Sequence, residues 1–274
     1  MSDIVLTAGV RANLLQLQST AATITNTQSK LATGKRVNSA LDNPINFFTA
    51  QGLSNRASDL SNLLDSTSTA INTIQAANNG ITSITKLVQS AQALVSQAQQ
   101  TSDTTIRAGL AAQYDAIRGQ IDQLAGDSGF NGINLLDSTN SANLTVVLNE
   151  RGTSSVTVSA VNFTSGGALA INSSSNNFGG TADITAASTD LTAALTKLRS
   201  QAQAFGSSLS TVQIRQDFTK ATINTLQTGA DALTLADSNE EGANLLALQT
   251  RQQLSTTALS LASQASQAVL RLFG

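Results

Sequence analysis

The sequence predicts a mainly α fold of long antiparallel helices with a small β-rich insert. Three observations point there. Apolar residues recur in alternating steps of four and three over most of the chain, the seven-residue period of coiled-coil and bundle helices. Aromatic residues are only 3%, with no Trp and with Tyr114 as the sole Tyr, so Ala and Leu must do most of the packing, which suits closely spaced helices. In one middle stretch the period changes to two, the spacing of a strand.

The first helix carries Val10, Leu14, Leu17, Ala21, Ile24, Gln28 and Leu31, all apolar except Gln28, and Gly34 ends it. The segment Thr33 to Pro44 holds the only proline, which pushes Asn43 toward an extended backbone, and a subdomain boundary is expected here. A second long helix carries Leu60, Leu64, Thr67, Ile71, Ile74, Asn78, Ile81, Ile84, Val88, Ala91, Val95 and Ala98, with a break in phase at Asn78, Ile81 and Ile84. After a polar turn from Gln99 to Thr105, a third helix carries Ile106, Leu110, Tyr114, Ile117, Ile121 and Leu124, and Gly126 stops it. Between Asn143 and Ile171, Leu144, Val146 and Leu148 alternate with polar residues, as do Val156 and Val158, and Asn149 to Gly152 reads as a hairpin connection. A polar loop, Asn172 to Gly180, completes an insert expected to be small and exposed. The longest clean repeat runs from Leu191 to Leu233 and implies a helix about 60 Å long. Asp237 to Gly242 interrupts it. The last helix carries Leu254, Ala258, Leu261, Ala265, Ala268 and Leu272, with a second line, Leu259, Ala262, Ser266, Val269 and Phe273, beside it.

Charged residues make up 12%, about half the usual share of roughly 25%. The net charge is −2 and no basic patch exists, which argues against nucleic acid. There is no Cys and no His, which removes disulfides, thiolate metal sites, the commonest metal ligand and the commonest general base. No phosphate-binding loop pattern occurs. Asp122 with Asp127, or Glu240 with Glu241, could be imagined as a carboxylate dyad or weak calcium site; they read instead as a solvated turn and a helix N-terminal charge. Asn143, Asn162 and Asn172 match the Asn-x-Ser/Thr pattern, a weak signal for glycosylation. No catalytic residue, cofactor or metal is expected. No apolar run approaches the roughly 18 residues of a membrane span. Met1 to Gln18 lacks the pattern of a cleaved signal peptide, so export would use another route. A membrane-active protein would also have apolar ends, but would carry basic faces beside them, and these are missing.

The two ends are nearly uncharged. The first 34 residues hold only Asp3, Arg11 and Lys30, and after Glu241 only Arg251 and Arg271 are charged. A helix apolar over a wide face must be buried in something. Periodicity alone leaves open an intramolecular bundle and a seam between copies. An open, repeating contact between unlike faces would give a helical filament.

Three segments carry a family resemblance. Leu31-Ala32-Thr33-Gly34-Lys35-Arg36-Val37-Asn38-Ser39-Ala40-Leu41-Asp42-Asn43-Pro44 resembles the flagellin signature of a helix ending in Thr/Ser-Gly, a basic pair, Asn-Ser-Ala and an Asp. Phe130-Asn131-Gly132-Ile133-Asn134-Leu135-Leu136 resembles the flagellin Phe-Asn-Gly turn followed by two Leu. The C-terminal helix, closing in Val269-Leu270-Arg271-Leu272-Phe273-Gly274, is similar to the flagellin ending. The match covers roughly 1–137 and 188–274 and looks like a short, alphaproteobacterial form.

The resemblance implies a structural subunit of the bacterial flagellar filament. Its termini, 1–43 and 235–274, would form an inner coiled coil lining a channel. Residues 44–137 and 188–234 would form an outer helical layer, and 138–187 an exposed variable insert. Assembly would rest on Val10, Leu14, Leu17, Ala21, Ile24 and Leu31 from one end and Leu254, Ala258, Leu261, Ala265, Ala268 and Leu272 from the other. Gly34, Asn43 and Pro44 would be the linker, and Phe130, Asn131 and Gly132 the turn. Expected partners are further copies of the chain, the flagellar type III export apparatus and its chaperone, the filament cap and the junction proteins. The expected location is the extracellular filament. The termini would order only on assembly. A hook–filament junction protein of the same architecture is the alternative. Many flagellins carry an Arg-rich helical patch read by the Toll-like flagellin receptor. Leu87 to Ala98 corresponds to it here and has no charge, so weak or absent recognition is expected.

Overall fold

The computed structural model describes residues 8–273, with side chains described at 9–265, 267 and 268. Five helices dominate: α1 (Ala8–Thr33), α2 (Pro44–Gln100), α3 (Thr104–Asp127), α4 (Thr181–Thr234) and α5 (Ser238–Phe273). Strands β1 (Leu144–Val147) and β2 (Ser155–Val158) and a short 3₁₀ turn, Ser175–Phe178, lie between α3 and α4. The chain divides into two compact units, residues 1–55 with 225–274, and residues 56–224. Pro44 opens α2, and the first turns of α2 group with the chain ends; the side chain of Leu53 lies 3.4 Å from where a Cβ on Gly229 would sit.

In the larger unit, Ile74, Ile84, Val88, Tyr114, Ile121, Leu191 and Phe205 are buried. Between them, Ala77, Ala91, Ala98, Ala111, Ala125 and Ala194 are fully buried, which lets the helix axes approach closely. The phase break at Asn78 does not break α2. Gly80 lies there, and an added Cβ would sit 2.2 Å from Ser128 Oγ and 2.6 Å from Leu136 Cδ1, so the skipped step accommodates a close approach. Helix α4 is longer than expected: 54 residues, about 81 Å, because it begins at Thr181, ten residues before the apolar stripe.

The ends of α3 follow from their side chains. Asp103 accepts from the Thr105 and Ile106 amides at 2.8 and 3.2 Å, an N-cap. Asn134 Nδ2 donates to the Ala125 and Gly126 carbonyls at 2.7 and 2.8 Å, and Ser128 Oγ donates to Leu124 O at 2.6 Å, covering the last turn.

The insert is less exposed than expected. β1 and β2 pair antiparallel, Leu144 with Val158 and Val146 with Val156, and Asn149 to Gly152 lies in the connection. Leu144, Val146, Val158, Phe163, Leu169, Ile171 and Phe178 are all buried, because these alternating apolar residues complete the core of the larger unit. Strand content is confined to eight residues, and apart from the short 3₁₀ turn and the first residues of α4 the rest of the insert is loop.

Candidate self-assembly surface

In the smaller unit α1 packs on α5. Asp237 caps α5 by accepting from the Asn239 amide at 2.8 Å, and Glu241 in its first turn pairs with Lys30 at 3.1 Å. Glu240 and Glu241 are thus the helix N-terminal charges that the sequence suggested. On α1, Thr20, Ile24 and Thr27 are buried and Val10, Asn13, Leu17 and Leu31 half-buried. On α5 the less exposed line is Leu245, Leu248, Gln252, Ser255, Leu259 and Ala262. The seam between the two helices is therefore narrow and partly polar; the Thr20 hydroxyl is satisfied within α1 by Gln16 O at 2.9 Å.

The apolar lines named from the sequence divide across this seam. Val10, Leu17, Ile24 and Leu31 face it, Ala21 lies at its margin, and Leu14 is 39% exposed. On α5, Leu254, Ala258, Leu261, Ala265 and Ala268 are all exposed, and the second line, Leu259 and Ala262, turns toward α1 instead. The Leu272 side chain lies outside the described residues, as does that of Val269. Leu246 and Leu254 are 67% exposed, Leu15 66% and Leu261 61%. Burying four such leucines would contribute about 4–8 kcal/mol, at roughly two-thirds of the value for a full Leu burial.

The linker residues each have a local task. Gly34 ends α1 with φ of +67°, a conformation costly for other residues. Asn43 accepts from the Asn46 amide at 3.0 Å and Pro44 opens α2, an N-cap followed by Pro at the first helical position. Between them the Asp42 carboxylate accepts from the Asn38 and Ser39 amides, both at 2.9 Å, and these bonds hold it below its usual carboxylate range. Residues 34–37 are tied to the last turn of α4 and the start of the connection to α5. Arg36 N donates to Thr234 O at 2.8 Å, Arg36 Nη2 to Ala232 O at 2.9 Å, and Ala236 N to Gly34 O at 3.0 Å.

The Phe-Asn-Gly motif is a tight turn. Phe130 and Ile133 exchange backbone hydrogen bonds at 2.9 and 3.0 Å, and Asn131 and Gly132 have φ of 49° and 79°, the type I′ pattern that Asn-Gly favours. Its result is to drive Leu135 and Leu136, both fully buried, into the core.

One face of α3 was not legible as functional. Arg118 Nε donates to Ile171 O at 2.9 Å, Asp115 accepts from Ser174 N and Oγ at 3.0 and 2.6 Å, and Asp122 accepts from Ser165 N and Oγ. Asp122 is therefore no solvated turn residue but a latch on the insert. The signal available was the spacing of Asp115, Arg118 and Asp122, which shares one helical face. Tyr114 donates to Asn172 O at 3.0 Å and stacks edge-on against Phe178, and burial pushes its phenol up to about 12.

Among the described residues no group of three His, Cys, Asp or Glu could hold a metal ion, and no helix is long and apolar enough to cross a membrane. A chain whose helical ends pair through a thin seam, while a second apolar face stays uncovered, belongs to the class of subunits built to associate. Residues 7–141 match the bacterial flagellin N-terminal helical region, and residues 185–273 the bacterial flagellin C-terminal helical region. The unmatched stretch between them, 142–184, lies within the insert. Flagellin FljM of Caulobacter vibrioides is 31% identical over all of this chain and 99% of its own length, and flagellin FljO of the same organism 30% over the same shares. Flagellin A of Rhizobium meliloti is 40% identical over 94 residues, 34% of this chain and 24% of that one. A crystal structure of Bacillus cereus flagellin aligns at 22% identity over 55% of this chain and 86% of that one, with a TM-score of 0.48.

The chain belongs to the bacterial flagellins. It is a structural subunit of the flagellar filament, and the hook–filament junction alternative is not favoured. Flagellins are structural proteins that polymerise with copies of themselves, and they form the extracellular filament.

Proposed function

We propose that residues 1–43 and 235–274 form the inner, channel-lining layer of the filament. Residues 44–137 and 188–234 form the layer outside it, and the open side of 138–187 faces solvent. The contacts between copies run through Leu14 of α1 and through Leu254, Ala258, Leu261, Ala265 and Ala268 of α5. Val10, Leu17, Ala21, Ile24 and Leu31 hold the two helices together, and Leu272 continues the α5 line. The observation that carries this is the exposure of Leu246, Leu254 and Leu261 along one helix that is nearly free of charge. The same exposure supports ordering of the ends on assembly, since a helix lacking neighbours offsets little of its conformational entropy.

The chain reaches its place through the flagellar type III apparatus, with an export chaperone, and adds beneath the filament cap above the junction proteins. Charge-free helix from Leu87 to Ala98, whose exposed side chains are Gln89, Ser90, Ala93, Ser96 and Gln97, supports weak or absent recognition by the Toll-like flagellin receptor. The deciding experiment is the double substitution Leu254→Ser with Leu261→Ser. Seeded polymerisation followed by sedimentation should show loss of filaments while the helical circular dichroism of the unassembled chain is kept. Normal filaments from this variant would refute the assignment of α5.

A further inference from the structure

We propose that the linker turn of one copy, Leu41 with Asp42 and Ile45, docks into the cleft between the β-hairpin and helices α2 and α4 of a second copy. This rests on the filament reading and names a contact within it. The cleft lies in the larger unit and encloses about 420 Å³. Arg56 and Leu60 of α2, Leu148 and Arg151 of the hairpin, and Arg215 and Phe218 of α4 line it. Phe218 is 62% exposed, and Ile214, one turn before it, is 66% exposed. Glu150 neutralises Arg56 at 2.8 Å, but among the described residues Arg151 and Arg215 have no ion-pair partner. The cleft thus offers an aromatic face beside three guanidinium groups and one carboxylate, Glu150, which acts on both Arg56 and Arg151, so positive charge remains in excess. What fits it is an apolar side chain with a carboxylate next to it.

The linker turn has that chemistry. Leu41 is 97% exposed and Ile45 is 77% exposed one turn further on, with Asp42 between. All three donors to Asp42 reach the same oxygen: Asn38 N, Ser39 N and Ser39 Oγ bond to Oδ2, at 2.9, 2.9 and 3.2 Å. The other oxygen, Oδ1, is open to a guanidinium, and such a pair is a charge-assisted hydrogen bond. Those same bonds fix the turn before it docks, which lowers the ordering cost of association. Turn and cleft are unlike surfaces of one chain, so their contact is heterologous, the kind that can repeat without closing, as a filament requires.

The chain has no Cys, so introduced thiols are the only ones present. Equal amounts of the single variants Leu41→Cys and Phe218→Cys are mixed, seeded into filaments, and oxidised or bridged with a short bismaleimide. The expected result is a covalent dimer of the two variants in filaments, absent from the unassembled mixture and from filaments of either variant alone. Adding Arg151→Glu and Arg215→Glu to the Phe218→Cys chain should lower the dimer yield several-fold. Filaments that form without the mixed dimer overturn the proposal while leaving the filament reading intact. If the native chain itself fails to polymerise, the filament reading fails and the proposal falls with it. If only the cysteine variants fail to assemble, with unchanged circular dichroism, these exposed side chains are needed between copies, which supports the contact.

Discussion

Replacing Gly80 by Ala should destabilise the protein, although the same change elsewhere on its helices should stabilise it. In a helix interior Ala is favoured over Gly by about 1 kcal/mol. At Gly80 the new methyl would sit 2.2 Å from Ser128 Oγ, 2.6 Å from Leu136 Cδ1 and 2.7 Å from Ser128 Cβ. Neither neighbour has room to retreat. Ser128 is held by its bond to Leu124 O, and Leu136 is fully buried. Overpacking of this kind costs about 1–3 kcal/mol, and contacts this short place the cost at the upper end. The net loss is then about 1–2 kcal/mol, or a fall in Tm of roughly 2–8 °C for a unit of this size. Gly119 on α3 is exposed and a Cβ there meets nothing within 4 Å, so Gly119→Ala should raise Tm by roughly 2–4 °C. Both are measured by thermal unfolding of the unassembled chain. A Gly80→Ala protein as stable as Gly119→Ala would refute the claim that the skipped step in α2 exists to seat Ser128 and Leu136.

Gly132→Ala forces a side chain into φ of 79° and should cost about 1–2 kcal/mol, seen as a lower denaturant midpoint. The chain has one Tyr and no Trp, so the near-ultraviolet phenolate band titrates Tyr114 alone, and it should rise near pH 12 rather than near 10. Because the folded value lies above the unfolded one, the stability that Tyr114 contributes is intact below pH 10 and declines as the pH rises through about 12; Tyr114→Phe should remove that decline. Asp122→Ala removes the acceptor for Ser165 N and Oγ and should expose the loop around Ser165 to limited proteolysis while α1 and α5 are unaffected. A cluster of Lys placed at Ala258, Ala265 and Ala268 should slow filament growth, measured by elongation from seeds.

All five helices and the hairpin were legible, because each carries a sustained apolar period. The facing of the end helices was not. At 3.6 residues per turn, neighbouring lines on one helix both lie near a partner. On α1 the seam passes through Asn13, Thr20 and Thr27 as well as the apolar line and leaves out Leu14, and on α5 it takes Leu259 and Ala262 rather than Leu254 and Leu261. Apolar content suggested the better line for burial, but within the single chain the leucines of that line stay uncovered. The insert misled for another reason. Its polar loop hides that Phe163, Ile171 and Phe178 reach a core made by distant helices, and Asp122 meets Ser165 only through the fold.

The bonds that tie residues 34–37 to residues 232–236 join parts of the chain about two hundred positions apart. A chain made from its N-terminus completes every element of the larger unit before α5 exists. Helix α1 therefore waits, without its partner, until almost everything else has been made. Pairing across so long a separation is also a slow kind of folding step. The surface on α5 that would join copies together is thus the last part of the molecule to be built, and a chain stopped short of Ser238 lacks it altogether.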